Sequence, residues 1–214
     1  MARNFSSDDL NAGNVLNITG DEITLSIWVR FDTLGGEQKF FARWQDSGGQ
    51  FSYLLTKNGS NNLLFVLNIG GNQIVTGTTS LVTGTWYHIV GTYDGTTMRL
   101  YLDGVEDGTN STSGNINSST APLRIGSGSG VGENPLDGDA GHGAIWDIGL
   151  TADEVASLAV GISPLRIPRA NNLLFYAPIN GQSPEQDVVG GFDMTVSGTT
   201  VIEEPPIPYS IVAP

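Results

Sequence analysis

The sequence predicts an all-β protein: a two-sheet antiparallel jelly-roll β-sandwich with one short helix and an extended C-terminal arm. Three observations lead there. Short segments of alternating apolar and polar residues recur along most of the chain, the turns between them are rich in Gly, Asn and Asp, and a single stretch carries helix start and stop signals.

Ile23 to Phe31 puts Ile23, Leu25, Ile27, Val29 and Phe31 on one face of a strand, and Thr24, Ser26, Trp28 and Arg30 on the other. Phe51 to Thr56 and Leu63 to Ile69 read as the next strands, and Gly70-Gly71 turns the second of them into Gln73-Ile74-Val75. Trp86 to Tyr93 is closed by Asp94-Gly95, and Met98 to Leu102 by Asp103-Gly104. Asp-Gly after an aromatic and β-branched run is a strong hairpin signal, because both residues tolerate positive φ. Leu123 to Gly126 and Gly143 to Asp147 add two short strands. Thr151-Ala152-Asp153-Glu154 is a capping box; Val155 and Leu158 then share a face, and Gly161 and Pro164 end the helix. Gly126 to Gly130 alternates Gly and Ser without the Lys of a phosphate loop and reads as a turn. Asn172 to Ile179 and Phe192 to Val196 read as late strands. Pro205, Pro206, Pro208 and Pro214 then forbid helix and favour an extended arm, ordered by its own domain, a neighbouring copy or a larger assembly. The expected organisation is a sandwich over residues 1–165, an extension with strands packing on it over 166–202, and a Pro-rich arm over 203–214.

Composition narrows the function. Nine Lys and Arg face 22 Asp and Glu, a net charge of −13, which repels a phosphate backbone and argues against nucleic-acid and membrane partners. With 39 % hydrophobic and 14 % charged residues the chain has material for a core. It has no Cys, hence no disulfides, thiolate metal sites or cysteine nucleophile. Met1 to Asp9 lacks the apolar stretch of a secretory signal peptide. The expected location is therefore a virion surface reached from a host cytoplasm, with an extracellular location as the alternative.

Thr24 to Val29, then Trp86 to Gly95, then Leu100 to Gly104, with Leu123 to Gly126 and the run from Leu136-Asp137-Gly138 through Ile145-Trp146-Asp147 to Val155, resemble the markers of the laminin-G-like, concanavalin A-like lectin/glucanase superfamily. The resemblance covers roughly residues 5–160 and implies two antiparallel sheets, one of them concave. Beyond residue 160 the chain is similar to an extension of lectin-like proteins of tailed bacteriophages. Gly143 to Asp147 departs from the family, which writes an acidic residue, a hydrophobic pair and an Arg in that closing strand.

The resemblance implies that an enzymatic member would carry carboxylates spaced Glu-x-Asp-x-Glu on one strand face; here the close pairs, Glu106-Asp107, Asp153-Glu154 and Glu203-Glu204, are adjacent and would diverge. His88 and His142 are far apart in sequence, and no Gly-x-Ser-x-Gly occurs. His88 reads as a buried, hydrogen-bonded strand residue, and Trp28, Trp86 and Trp146 as core aromatics. Trp44, nearer a loop, with Arg43 and Asp46 as a polar rim, has the aromatic face and planar polar groups that sugar recognition needs. Asp137 and Asp139 alternate with Gly in a way that suits a calcium ion on a rim loop, with no cofactor otherwise required. The expected function is a non-catalytic, lectin-like surface subunit of a larger assembly, a tailed-phage decoration or adhesion protein. Its partners would be capsid or tail subunits, copies of itself, and cell-surface glycans. The alternatives are a free carbohydrate-binding module and, disfavoured, a β-glucan hydrolase or lyase.

Overall fold

The computed structural model describes residues 1–129 and 133–202; Gly130 of the glycine–serine run and the Pro-rich arm from residue 203 lie outside the described residues. Among the described residues the strands form two antiparallel sheets. The eight-stranded sheet runs β10 (Val105–Ser111), β9 (Thr97–Leu102), β8 (Trp86–Tyr93), β3 (Ile23–Phe31), β12 (Asp137–Trp146), β1 (Ala2–Ser6) and β15 (Thr200–Ile202), with β13 (Leu173–Ala177) also paired to β12. The seven-stranded sheet runs β14 (Thr195–Ser197), β2 (Asp9–Gly13), β11 (Leu123–Ile125), β4 (Gln38–Gln45), β5 (Gln50–Lys57), β6 (Leu63–Asn68) and β7 (Asn72–Thr76).

Alternation decides which side chains enter the space between the sheets. Ile27, Val29, Ile89, Leu100 and Ala140 of one sheet share a buried cluster with Phe41, Leu55, Phe65 and Leu67 of the other. The hairpin signals act as the sequence implies: Asp103 and Gly104 join β9 to β10 with φ of 51° and 82°, both positive as a two-residue type I′ turn requires. Helix α1 (Ala152–Ala159) begins with the capping box, Glu154 N donating to Thr151 Oγ1 at 3.3 Å while Thr151 N donates to Glu154 Oε2 at 2.9 Å.

The segment after the helix completes both sheets. Phe175, Ala177, Ile179 and Met194 lie in the main core. The short hairpin around Gly198 sends β14 to the edge of one sheet, against β2, and β15 to the edge of the other, against β1.

Two stretches differ from expectation. Asp137-Gly138-Asp139, read as a rim turn, is the start of β12, a strand paired with β3 on one side and β1 on the other. Gly138 serves close approach rather than a turn: a Cβ there would lie 2.0 Å from the Arg30 carbonyl oxygen. Trp44, placed near a loop by the sequence, sits inside β4.

Candidate functional site

The face of the eight-stranded sheet turned away from the core is divided. Over one half, Val155 and Leu158 of α1 and Ile167 beyond it pack on Val90, Tyr101, Ala144, Trp146 and Tyr176. The helix ends before it reaches the other half. There the register lines up Trp86 of β8, Arg30 of β3, Asp139 of β12 and Asn4 of β1 as one row across four strands. In the next row Trp28 of β3 lies between His88 of β8 and Gly141 of β12, with His142 following where the β12 register shifts. Trp28 and Trp86 are both half-buried. As diagonal neighbours on adjacent antiparallel strands the two residues are roughly 7–8 Å apart, somewhat less between their Cβ atoms.

The polar groups of this row are held by one another. Arg30 forms an ion pair with the fully buried Asp139 carboxylate, lies 3.8 Å from Asp32 Oδ1, and has its guanidinium 5.8 Å from the centre of the Trp86 ring. The Asn4 amide donates to Asp139 Oδ1 at 2.9 Å and to Asp32 Oδ2 at 3.1 Å. Burial raises the Asp139 carboxyl above its ordinary value, while the hydrogen bond from Asn4 and the Arg30 charge pull the other way. The result is a pre-set patch of two part-exposed indoles, Trp28 against the His88 ring and Trp86 under the Arg30 guanidinium, with the exposed Asp32 carboxylate and the Asn4 amide beside the buried Asp139. It is a mixture of aromatic and planar polar groups that can meet a sugar ring and its hydroxyls.

At the border between the halves a cavity of about 10 Å³, near the minimum for one water, is lined by Ser26, Trp28, His88, His142, Leu158, Ile162 and Pro164. The two histidines, distant in sequence, meet here because β8 and β12 flank β3. Ser26 Oγ is 2.9 Å from His88 Nε2, the hydrogen-bonded strand role expected of His88, and Tyr176 Oη is 2.9 Å from His142 Nδ1. Burial lowers His88 to about 3 and His142 to about 4, so both are neutral at physiological pH. The serine–histidine pair does not form a nucleophilic site: both side chains are almost wholly buried, and His88 Nδ1 has no hydrogen-bond partner to orient it as a base.

The residues singled out in the sequence fare differently. Trp44 and Asp46 are together, Trp44 Nε1 donating to Asp46 Oδ1 at 2.9 Å, but Trp44 is 4 % exposed, packed at a tilt against Phe51 with ring centres 4.6 Å apart. Arg43 points to the opposite side of β4. It is fully buried and donates to the Val15 and Ala121 carbonyls and Asn14 Oδ1, each at 2.7 Å, and to the Ser119 carbonyl. The polar rim of Arg43 and Asp46 around an open Trp44 is therefore not assembled. Asp137 accepts from Thr33 Oγ1 at 2.6 Å, and Asp139 is engaged as above. These two do not fit a calcium ion: the cation against Asp139 is the Arg30 guanidinium, and among the described residues no group of three or more acidic or histidine side chains is placed to hold a metal. Of the three tryptophans expected in the core, Trp146 is fully buried, while Trp28 and Trp86 are a correction. Their positions, of opposite parity to the core residues, send both indoles outward, and α1 does not extend over them. The placement of Trp28 with Arg30 on the outer face was visible in the alternation; nothing local to β3 or β8 says that this part of the face is left uncovered.

The profile of the concanavalin A-like lectin/glucanases superfamily matches residues 5–156. The chain belongs to that superfamily. No curated protein sequence matches the chain. Among solved structures, a Bacteroides ovatus protein described as a "putative carbohydrate binding protein" superposes with a TM-score of 0.75 at 18 % identity, over 93 % of this chain and 58 % of that one. This superfamily member thus spans less than two thirds of that protein's length. The heptameric SAP-like pentraxin of Limulus polyphemus gives 0.54 at 19 % identity, covering 75 % of this chain and 78 % of that one. The Ruminococcus gnavus IT-sialidase CBM40 bound to α2,3 sialyllactose gives 0.56 at 12 % identity, covering 66 % and 84 %. At these identities the likeness is one of fold.

Proposed function

We propose that this protein is a non-catalytic, lectin-like carbohydrate-binding protein whose ligand lies on the open half of the eight-stranded sheet. The observation that carries this reading is the row Trp86–Arg30–Asp139–Asn4 with Trp28 beside it, a surface of aromatic and planar polar groups already fixed by hydrogen bonds and left uncovered by the helix. The carbohydrate-binding description of the Bacteroides ovatus protein, and the sugar bound by the Ruminococcus gnavus domain, support the class of ligand. A glycan array followed by calorimetry on the positive sugars tests it. Trp28→Ala and Trp86→Ala should each weaken binding roughly tenfold or more, a loss of about 1.4 kcal/mol, while leaving the fold intact. Binding indifferent to both variants overturns the assignment.

The finer part of the proposal, a decoration or adhesion subunit of a virion, draws on residues 203–214, which lie outside the described residues. Removing them should leave a folded sandwich, since the core clusters all lie earlier, and should weaken assembly into an oligomer or onto a particle. A truncated protein that assembles like the full chain counts against it.

A further inference from the structure

If the open face binds glycans, the same residues say which kind. We infer that it takes an uncharged, hydroxyl-rich sugar chain of at least two rings and turns away chains bearing carboxylate, sulfate or phosphate groups. This deepens the reading above and rests on it.

The first argument is charge. An anionic sugar needs a cation free to receive it, best a guanidinium fork. Of the nine Lys and Arg in the chain, Arg3, Lys39, Arg43, Lys57 and Arg124 are buried. Arg30, Arg99 and Arg169 are ion-paired to Asp139, Asp94 and Glu154, and the ninth, Arg166, exposed in the turn Pro164–Arg166, is not without a partner either. Within the row Arg30 is the cation, and it stands between two carboxylates, Asp139 against it and Asp32 at 3.8 Å; the amino terminus, whose charge reaches His142, is itself met by the Glu185 carboxylate. His88 and His142, neutral at physiological pH, add no positive charge. The row is therefore net negative within a chain of net charge −13, and an approaching anion is repelled both there and at long range.

Hydrogen-bond polarity is the second argument. Both Asn4 amide hydrogens are committed, one to Asp139 and one to Asp32. With Asp139 buried, what the row offers a ligand is the exposed Asp32 carboxylate and the Asn4 carbonyl as acceptors, beside a part-exposed Arg30 guanidinium whose charge is already met by Asp139 and Asp32. Sugar hydroxyls donate to such a surface, whereas carboxylate and sulfate groups have only acceptors to bring. The third argument is spacing. Two part-exposed indoles one diagonal apart on adjacent strands, Trp86 beneath Arg30 and Trp28 against His88, offer two separate aromatic contacts, which successive rings of a chain can use together more readily than a single ring.

Calorimetry on the full chain tests this with neutral oligosaccharides of the cellulose, mannan and arabinan series, from mono- to tetrasaccharide, against oligogalacturonate and sialyllactose, each at low and high salt. The expected result is that at least one neutral series binds, with affinity rising roughly tenfold from the monosaccharide to the longer chains and unchanged by salt. The acidic sugars should bind roughly tenfold more weakly or not at all, and Asp32→Asn, at an exposed carboxylate, should narrow that gap severalfold. An acidic oligosaccharide that binds more tightly than every neutral one, weakens in salt and is lost in Trp28→Ala overturns the charge selection while leaving the carbohydrate reading standing. A neutral ligand bound equally well as a monosaccharide overturns the two-ring argument. Failure of every sugar to bind, or binding untouched by Trp28→Ala and Trp86→Ala, overturns the carbohydrate reading itself.

Discussion

Two regions of this molecule hold a tryptophan, an arginine and an aspartate close together, and they do opposite things. Around Trp44 the three residues are nearly consecutive in sequence, yet the strand sends Arg43 and Trp44 to opposite faces: one ties two loops across the end of the core, the other is sealed against Phe51. Around Trp28 and Trp86 the participants come from four strands spread over residues 4 to 139, yet they stand side by side on one open surface. In a sheet, neighbours in space are cross-strand partners, and adjacency in sequence guarantees separation. The first region should answer to stability measurements and the second to ligand affinity.

The largest expected effect is in the first region. Arg43→Leu leaves the carbonyls of Val15, Ser119 and Ala121 without their donor in a buried setting, a loss of about 4 kcal/mol by urea or thermal unfolding. Trp44→Ala, at a side chain only 4 % exposed, should cost about 3 kcal/mol and leave sugar affinity unchanged. Trp28→Ala is the mirror image, about 1 kcal/mol in stability for a half-buried indole, with the loss of binding described above. A Trp44→Ala protein that folds normally but no longer binds sugar would reverse the comparison.

Between the regions lies the histidine cavity, and pH reads it out. His88 and His142 are held at about 3 and about 4, below the ordinary 6.5, in each case mainly by burial; each also feels nearby positive charge, His88 that of His142 and His142 that of the amino terminus. The unfolded chain therefore binds protons first as the pH falls. This stability is complete above 6.5 and is lost progressively on the way down to the folded-state values. From pH 6.5 to about 5 the loss should be about 2 kcal/mol for each histidine. The raised carboxyls of Asp103 and Asp139 act in the opposite sense further down, so the upper window is the clean one. Urea midpoints measured across it should fall in the parent and fall less steeply in His88→Gln. A flat profile would mean that the cavity is open to water.

How much of this was legible in the sequence follows from the same geometry. The strands 23–31, 86–93 and 97–102 and the capped helix could be read because each announces itself locally, by alternation, by Asp-Gly or by Thr-x-x-Glu. Strands β1 and β2 and the first half of β12 could not. Ala2–Ser6 and Asp9–Gly13 are short, and Asp137 to Gly143 contains three glycines; their strand character comes from partners on either side. The candidate site was half legible. Alternation already placed Trp28 and Arg30 together, but that Trp86, Asp139 and Asn4 join them depends on strand order, and that they stay uncovered depends on where a distant helix stops.

That last dependence sets the smallest prediction. Thr151 caps α1 from outside the open face, its hydroxyl accepting from Glu154 N at 3.3 Å. Thr151→Ala removes the cap and should lower stability by about 1 kcal/mol. Val155 and Leu158 face the covered half of the sheet, and only the end of that contact, at Leu158, reaches the cavity beside Trp28. A frayed first turn at Ala152–Glu154 is remote from that end, so sugar affinity should be unchanged. If Thr151→Ala instead weakens binding, the helix holds Trp28 in place through Leu158, and the division between covered and open halves is a coupling between them.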